Sequence, residues 1–172
     1  MYCAETEQIE KAIVHILTEG MPEHKIKPFP RHRFIRDKAA RRALARSIVF
    51  SGNKQRISPW ILVAIAFREG SFVGEKEGLL KEESTFQIVP KNIPWLKKIE
   101  PGCSLESVQG AALCAATLLR HNYDKCGSMN GALTLYATGK RCKSDNPHVK
   151  WLVRDRQGIE RKLERKFGKK AM

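Results

Sequence analysis

Glu69 is the residue whose setting could do chemistry. It stands at the end of Trp60–Phe67, eight consecutive apolar residues, with only Arg68 between. Ser58 is placed to cap this segment, and Pro59 takes the first helical position, where its missing N–H costs nothing. Gly70 follows the acid and can supply the left-handed residue that stops a helix. A helix that is apolar on every side is normally buried. A carboxyl group at its C-terminal end meets the negative end of the helix dipole and lies among apolar groups. Both effects disfavour an ionised form, and such a setting suits a general acid. The competing reading is a surface glutamate at a frayed helix end, the commoner state of an isolated carboxylate.

The rest of the chain must supply a scaffold for that helix. At 172 residues it fits one domain able to bury a substantial core. Helix formers dominate and glycine and proline are sparse, so the expected class is mainly α. Residues 5–19 carry Ile9, Ala12, Ile13, Ile16 and Leu17 at helical spacing, closed by Gly20 and Pro22. A second helix is expected over Arg31–Phe50, with Ala39, Ala43, Leu44 and Ile48 as its apolar stripe and the loop S-G-N-K-Q-R after it. After Glu69 the helical period is lost, glycines recur, and S-T-F-Q-I-V is rich in β-formers; a loop with a short β-hairpin is expected there. Glu75, Glu77, Glu82 and Glu83 crowd this loop. A short helix over Asn92–Lys98 is expected next, then one over Leu105–Asn122 capped by Ser104, whose small residues admit a close neighbour. Ser128 caps a further helix closed by Gly139, and Asn146-Pro147 opens the last, which fades into a basic tail.

The formal net charge of +14 points to a polyanionic partner: nucleic acid, anionic lipid or the acidic bacterial cell wall. Arg31, Arg33, Arg36, Lys38, Arg41, Arg42 and Arg46 share the polar side of the second helix, and the C-terminal tail adds more cations. A solvated helix face is the commoner meaning of such a run. No apolar stretch is long enough to span a membrane, and the first ten residues lack a signal peptide's pattern. The expected localisation is therefore a soluble protein that is intracellular or delivered by another route. Cys3, Cys103, Cys114, Cys126 and Cys142 include no C-x-x-C, and the histidines lack zinc-finger spacing, so no metal or other cofactor is expected. The last four cysteines leave two disulfides or free thiols open.

Three pieces in order resemble a known family. Glu69 is followed by Ser71 and Phe72; Gln87-Ile88-Val89-Pro90 comes eighteen residues after the acid; Tyr136 precedes Gly139 at the end of a late helix. This arrangement, over roughly Ser58 to Gly139, resembles the catalytic domain of soluble lytic transglycosylases, lysozyme-like enzymes that cut the glycan strands of peptidoglycan. The resemblance implies a lysozyme-like single domain that needs no second carboxylate, and a monomer. Glu69 would be the single acid/base, protonating the bond between N-acetylmuramic acid and N-acetylglucosamine and then deprotonating the muramic 6-hydroxyl to give a 1,6-anhydro product. Ordinary glycosidases need two carboxylates. Gln87 and Tyr136 would bind substrate or order the cleft, and Ser71, Phe72 and Phe86 would shape its surface. With no signal peptide, a phage endolysin or virion-borne enzyme acting in the cell envelope is implied.

The chain departs from that pattern at Gly70, where the family has serine, at Ser84-Thr85-Phe86 in place of Gly-Leu-Met, and at Ala137 in place of asparagine. Three readings therefore stand: a lytic transglycosylase (or a muramidase that uses water), a lysozyme-like domain that binds glycan without cutting it, and a basic nucleic-acid-binding or structural protein.

Overall fold

The computed structural model describes residues 4–20, 38–70 and 85–168. Seven α-helices lie in these stretches: α1 (Ala4–Glu19), α2 (Lys38–Gln55), α3 (Pro59–Gly70), α4 (Ile93–Ile99), α5 (Val108–Cys126), α6 (Met129–Thr138) and α7 (Pro147–Phe167). A 3-10 turn at Pro90–Asn92 leads into α4. The class is mainly α, with no strand among the described residues. Most of the expected hairpin, residues 71–84, lies outside them; residues 85–87 form a turn and Ile88 a single bridge.

Helix α3 is the hub. Every residue from Trp60 to Phe67 is at most 9% exposed, and the helix packs against α7, α2 and α5. Each large side chain withdrawn from water contributes about 1.5–3 kcal/mol, so this one segment carries a large share of the core. The core itself is one contiguous cluster drawn from α1 through α7. Helices α2 and α5 form its most extensive pairing, because Gly110, Ala111, Ala112, Ala115 and Ala116 are buried and leave little bulk between the backbones.

Several boundaries differ from expectation for identifiable reasons. Helix α2 runs through Ser51 and Gly52 to Gln55, so the expected loop there is helical. Both residues are buried, and a Cβ on Gly52 would come within 2.7 Å of the Ile57 carbonyl oxygen. Its apolar stripe is Leu44, Ala45, Ile48 and Val49, while Ala39 and Ala43 are exposed. Helix α5 begins after Ser107, not Ser104: the Ser107 hydroxyl accepts from the Gly110 N–H at 3.0 Å. Ser128 caps α6 by accepting from Gly131 N–H, and Gly127 and Gly139 end α5 and α6 in the left-handed conformation. Asn146 caps α7 through His148 N–H.

Two disulfides, Cys103–Cys114 and Cys126–Cys142, brace this half of the molecule. The second ties the end of α5 to the segment after α6. A Cβ on Gly131 would lie 2.7 Å from the Cys126 Cβ, so only glycine lets α6 start against the bridge. Elsewhere, Glu100 is buried and takes hydrogen bonds from Lys54 Nζ at 2.8 Å and Gln55 Nε2 at 3.1 Å, tying the end of α2 to the end of α4. No helix among the described residues is long and apolar enough to cross a membrane.

The C-terminal end of α7 closes over the start of α3. Trp60 Nε1 donates to the Gly168 carbonyl at 3.1 Å, and its ring stacks on Phe167 at 5.7 Å. Glu160 sits in the same region, facing Ser58. Burial and then the neighbouring Glu164 charge push its carboxyl up to about 7, while Ser58 and Arg161 pull the other way. The folded chain thus holds a proton that an ordinary carboxyl, near 4.5, has released. Stability from this group is present below about pH 4.5 and is lost as pH rises to about 7. Glu160→Gln should flatten that slope in urea unfolding curves, raising stability at pH 8 by about 2 kcal/mol and changing it little at pH 4.5.

Candidate active site

The C-terminal end of α3 brings Glu69 against α7. Arg156 Nη2 donates to Glu69 Oε1, and Arg156 Nη1 donates to the Leu152 carbonyl at 2.9 Å. The Arg156 side chain is 4% exposed and that of Glu69 25%, so the pair sits at the rim of the core with the carboxylate on the solvent side. One residue earlier, Arg68 Nε and Nη2 donate to Asp155 Oδ2 and Oδ1 at 2.6 and 2.8 Å. Such two-point pairing fixes the planes of both groups. Two adjacent residues of α3 are therefore bound by two adjacent residues of α7.

This corrects the expected surroundings of Glu69. Residues 60–67 are as apolar as anticipated, but the carboxylate itself meets a buried guanidinium. The pattern on α7 carries the signal that was missed: Val153, Arg156, Ile159 and Leu163 form the buried stripe, and an arginine in phase with such a stripe needs an anionic partner. The acids that crowd the loop after Glu69, at positions 75, 77, 82 and 83, lie outside the described residues.

Tyr136 reaches the same place from α6. Its hydroxyl donates to the Phe86 carbonyl at 2.8 Å. Burial of the phenol and then the Glu69 charge push its pKa well above the usual tyrosine range, and Arg156 acts in the opposite direction. The phenol therefore stays protonated and acts as a donor, with both members of the ion pair close enough to be felt. A group from α6, the turn at 85–87, and the Glu69–Arg156 pair thus share one neighbourhood.

The turn itself is under constraint. Gln87 has φ of 51°, in the left-handed region that non-glycine residues seldom occupy. In the resembled family the residues before the glutamine include a glycine; here the positive φ falls on the glutamine itself. Strained backbone of this kind persists where neighbours over-determine it, and the Tyr136 hydrogen bond to the preceding carbonyl is one such restraint.

The remaining expected site residues divide. Phe86 is wholly buried, so its ring packs the core and is removed from the set expected to touch substrate; only its carbonyl serves the site. Ser71 and Phe72 lie outside the described residues, as do Arg31, Arg33 and Arg36 of the expected basic face. Of that face, Lys38, Arg42 and Arg46 are exposed on α2, and Arg46 lies 3.7 Å from Glu10. Among the described residues no group of three or more His, Cys, Asp or Glu side chains could hold a metal ion.

No family model matches the chain, and no curated protein or solved structure matches it. The functional reading rests on the residues alone.

Removing one partner of the Glu69–Arg156 pair strands the other at the edge of the core. Arg156→Met should lower the unfolding free energy by about 2–4 kcal/mol in urea melts. Combining it with Glu69→Gln should recover part of that loss, with a coupling of about 1–3 kcal/mol. Strict additivity of the two substitutions would show that the pair contributes nothing as a pair.

Proposed function

We propose that this protein is a peptidoglycan-cleaving lytic transglycosylase with Glu69 as its single acid/base. The supporting observation is convergence. A carboxylate at the end of a buried helix, a protonated phenol from a helix 67 residues later, and a strained turn holding Gln87 gather at one spot. Acid–base chemistry on a glycosidic bond needs such a proton carrier held in position.

In this reading Glu69 enters the reaction protonated and gives its proton to the glycosidic oxygen as the bond to the muramic anomeric carbon breaks. The same carboxylate then takes the proton of the muramic 6-hydroxyl, whose oxygen bonds to that carbon. The 1,6-anhydro ring forms, no water is consumed, and Glu69 ends protonated as it began. Arg156 orients the carboxylate between these steps and stabilises its charge while the proton is away. Tyr136 keeps the 85–87 turn in place, and Gln87 presents its amide to the sugar or to the neighbouring backbone. The net charge of +14 suits a wall rich in acidic groups, with Lys38, Arg42 and the C-terminal tail as further polyanion contacts. Two disulfides suit an oxidising compartment such as the cell envelope.

The Glu69–Arg156 pair itself favours a second reading. A carboxylate engaged by a buried guanidinium can serve as an anchor in a cleft that holds glycan and leaves it intact.

Purified peptidoglycan incubated with the wild type should release muropeptides whose masses carry 1,6-anhydro ends. Glu69→Gln should reduce that release at least ~100-fold. Hydrated reducing ends would assign the chemistry to a water-using muramidase. Binding of the polymer by the wild type with no release, and weaker binding by Glu69→Gln, would establish the second reading. Equal release from both would remove Glu69 from the mechanism.

A further inference from the structure

The first turns of α7 carry an aromatic surface that neither the ion pairs nor the core accounts for. Trp151 is 49% exposed, the largest side chain so presented on α7. His148, one turn earlier, lies against it with ring centroids 6.1 Å apart and planes only 18° from parallel. The start of this helix is fixed by Pro147 at its first position and by Asn146 Oδ1, which accepts from His148 N–H at 2.9 Å. The two rings are thus held side by side on a capped turn, displaying apolar area to solvent.

Its position relative to Glu69 follows from helix geometry. Trp151 and Asp155 are four residues apart and share a face of α7, about 6 Å along the axis. Asp155 is bound by Arg68, the residue before Glu69. The chain from Gly139 to Asn146 joins the end of α6, which carries Tyr136, to this same turn. The ring pair therefore lies one helical turn before Asp155, the partner of the residue next to Glu69. Lys150 and Arg154, the ring pair's neighbours on α7, are exposed, with Lys150 Nζ 3.4 Å from Asp145.

We propose that Trp151 and His148 form a stacking platform for a sugar ring of a glycan strand that runs on from Glu69. This rests on the glycan reading of that site and adds a second point of contact to it. The C–H faces of a pyranose are apolar and fit the face of an indole, while its edge hydroxyls remain in water. The neighbouring cations meet the carboxylates that the stem peptides on muramic acid carry. A rigid two-ring surface gives this contact little ordering entropy to overcome.

The experiment is cosedimentation of the full chain with purified peptidoglycan sacculi, read beside muropeptide release. Trp151→Ala should bind sacculi about ten-fold more weakly than wild type, with Trp151→Phe intermediate and an unchanged circular-dichroism melt. In the release assay the loss should fall on KM, with kcat kept. Sacculi should also protect Trp151 from fluorescence quenching by acrylamide in Glu69→Gln protein, where no cleavage complicates the signal. Wild type that binds through Trp151 yet releases nothing would sink the cleavage reading and leave the platform standing. Wild-type binding unaffected by Trp151→Ala overturns the platform, whatever the activity. So does protection of Trp151 by a short oligothymidylate and not by sacculi, which would make the rings a nucleic-acid contact.

Discussion

The structure depends on the pairing of charges between α3 and α7. Helix α3 buries eight apolar residues in a row and then presents a carboxylate. Helix α7 buries a stripe of aliphatic residues with one arginine in its middle. Neither ionic group is tolerable at the core alone, since an isolated charge there is far costlier than a paired one. Together they fix the crossing of the two helices: Glu69 must meet Arg156, and the adjacent Arg68 and Asp155 then meet beside them. At the other end of the crossing, Trp60 binds the Gly168 carbonyl and stacks on Phe167. The last helix is thereby pinned along its length to the most buried helix of the protein.

That pinning decides what the rest of the site can be. With α7 held, the segment preceding it must return from α6 to Pro147 within a fixed span. The Cys126–Cys142 bridge ties that segment back to α5. Tyr136 thus faces Glu69 and Arg156 because the chain on both sides of α6 is anchored. Its hydroxyl in turn holds the Phe86 carbonyl, which fixes the peptide preceding the strained Gln87. Each restraint transmits the position of the ion pair one step further from α3. The proton transfer proposed for Glu69 would need this kind of support, since small displacements of reacting groups are costly in rate.

How much of this the sequence discloses can be traced residue by residue. The buried helix was legible because eight consecutive apolar residues with a Ser-Pro start permit little else. The caps at Ser128, Gly139 and Asn146 were legible because each is a local rule about one turn of backbone. The end of α2 and the start of α5 were misjudged, since both are settled by tertiary fit: Gly52 continues a helix because it packs under the Ile57 carbonyl, and Ser107 outcompetes Ser104 by reaching Gly110 N–H. Phe86 was misassigned because an aromatic beside a turn reads alike whether it faces sugar or core. Arg156 was missed because a charge in a highly charged helix attracts no notice until the phase of the apolar stripe is counted. Long-range pairing is the part of a site that local pattern expresses least.

The same pairing bears on which chemistry the site can support. An acid/base residue must be held in one orientation yet change its charge during the reaction. A carboxylate buried among apolar groups alone would be oriented poorly, with nothing to bind its oxygens. One locked by several cations would be held well and would never give up its charge. Glu69 lies between these limits: one oxygen is bound by Arg156, and a quarter of its side chain remains open to solvent. Arg156 keeps its own anchor on the Leu152 carbonyl, so it need not move when the carboxylate is neutral. Tyr136 stays a neutral donor throughout, because its hydroxyl is both buried and close to the Glu69 charge. A single-carboxylate mechanism of the kind proposed would require the change of charge to fall on one group, and in this cluster that group would be Glu69.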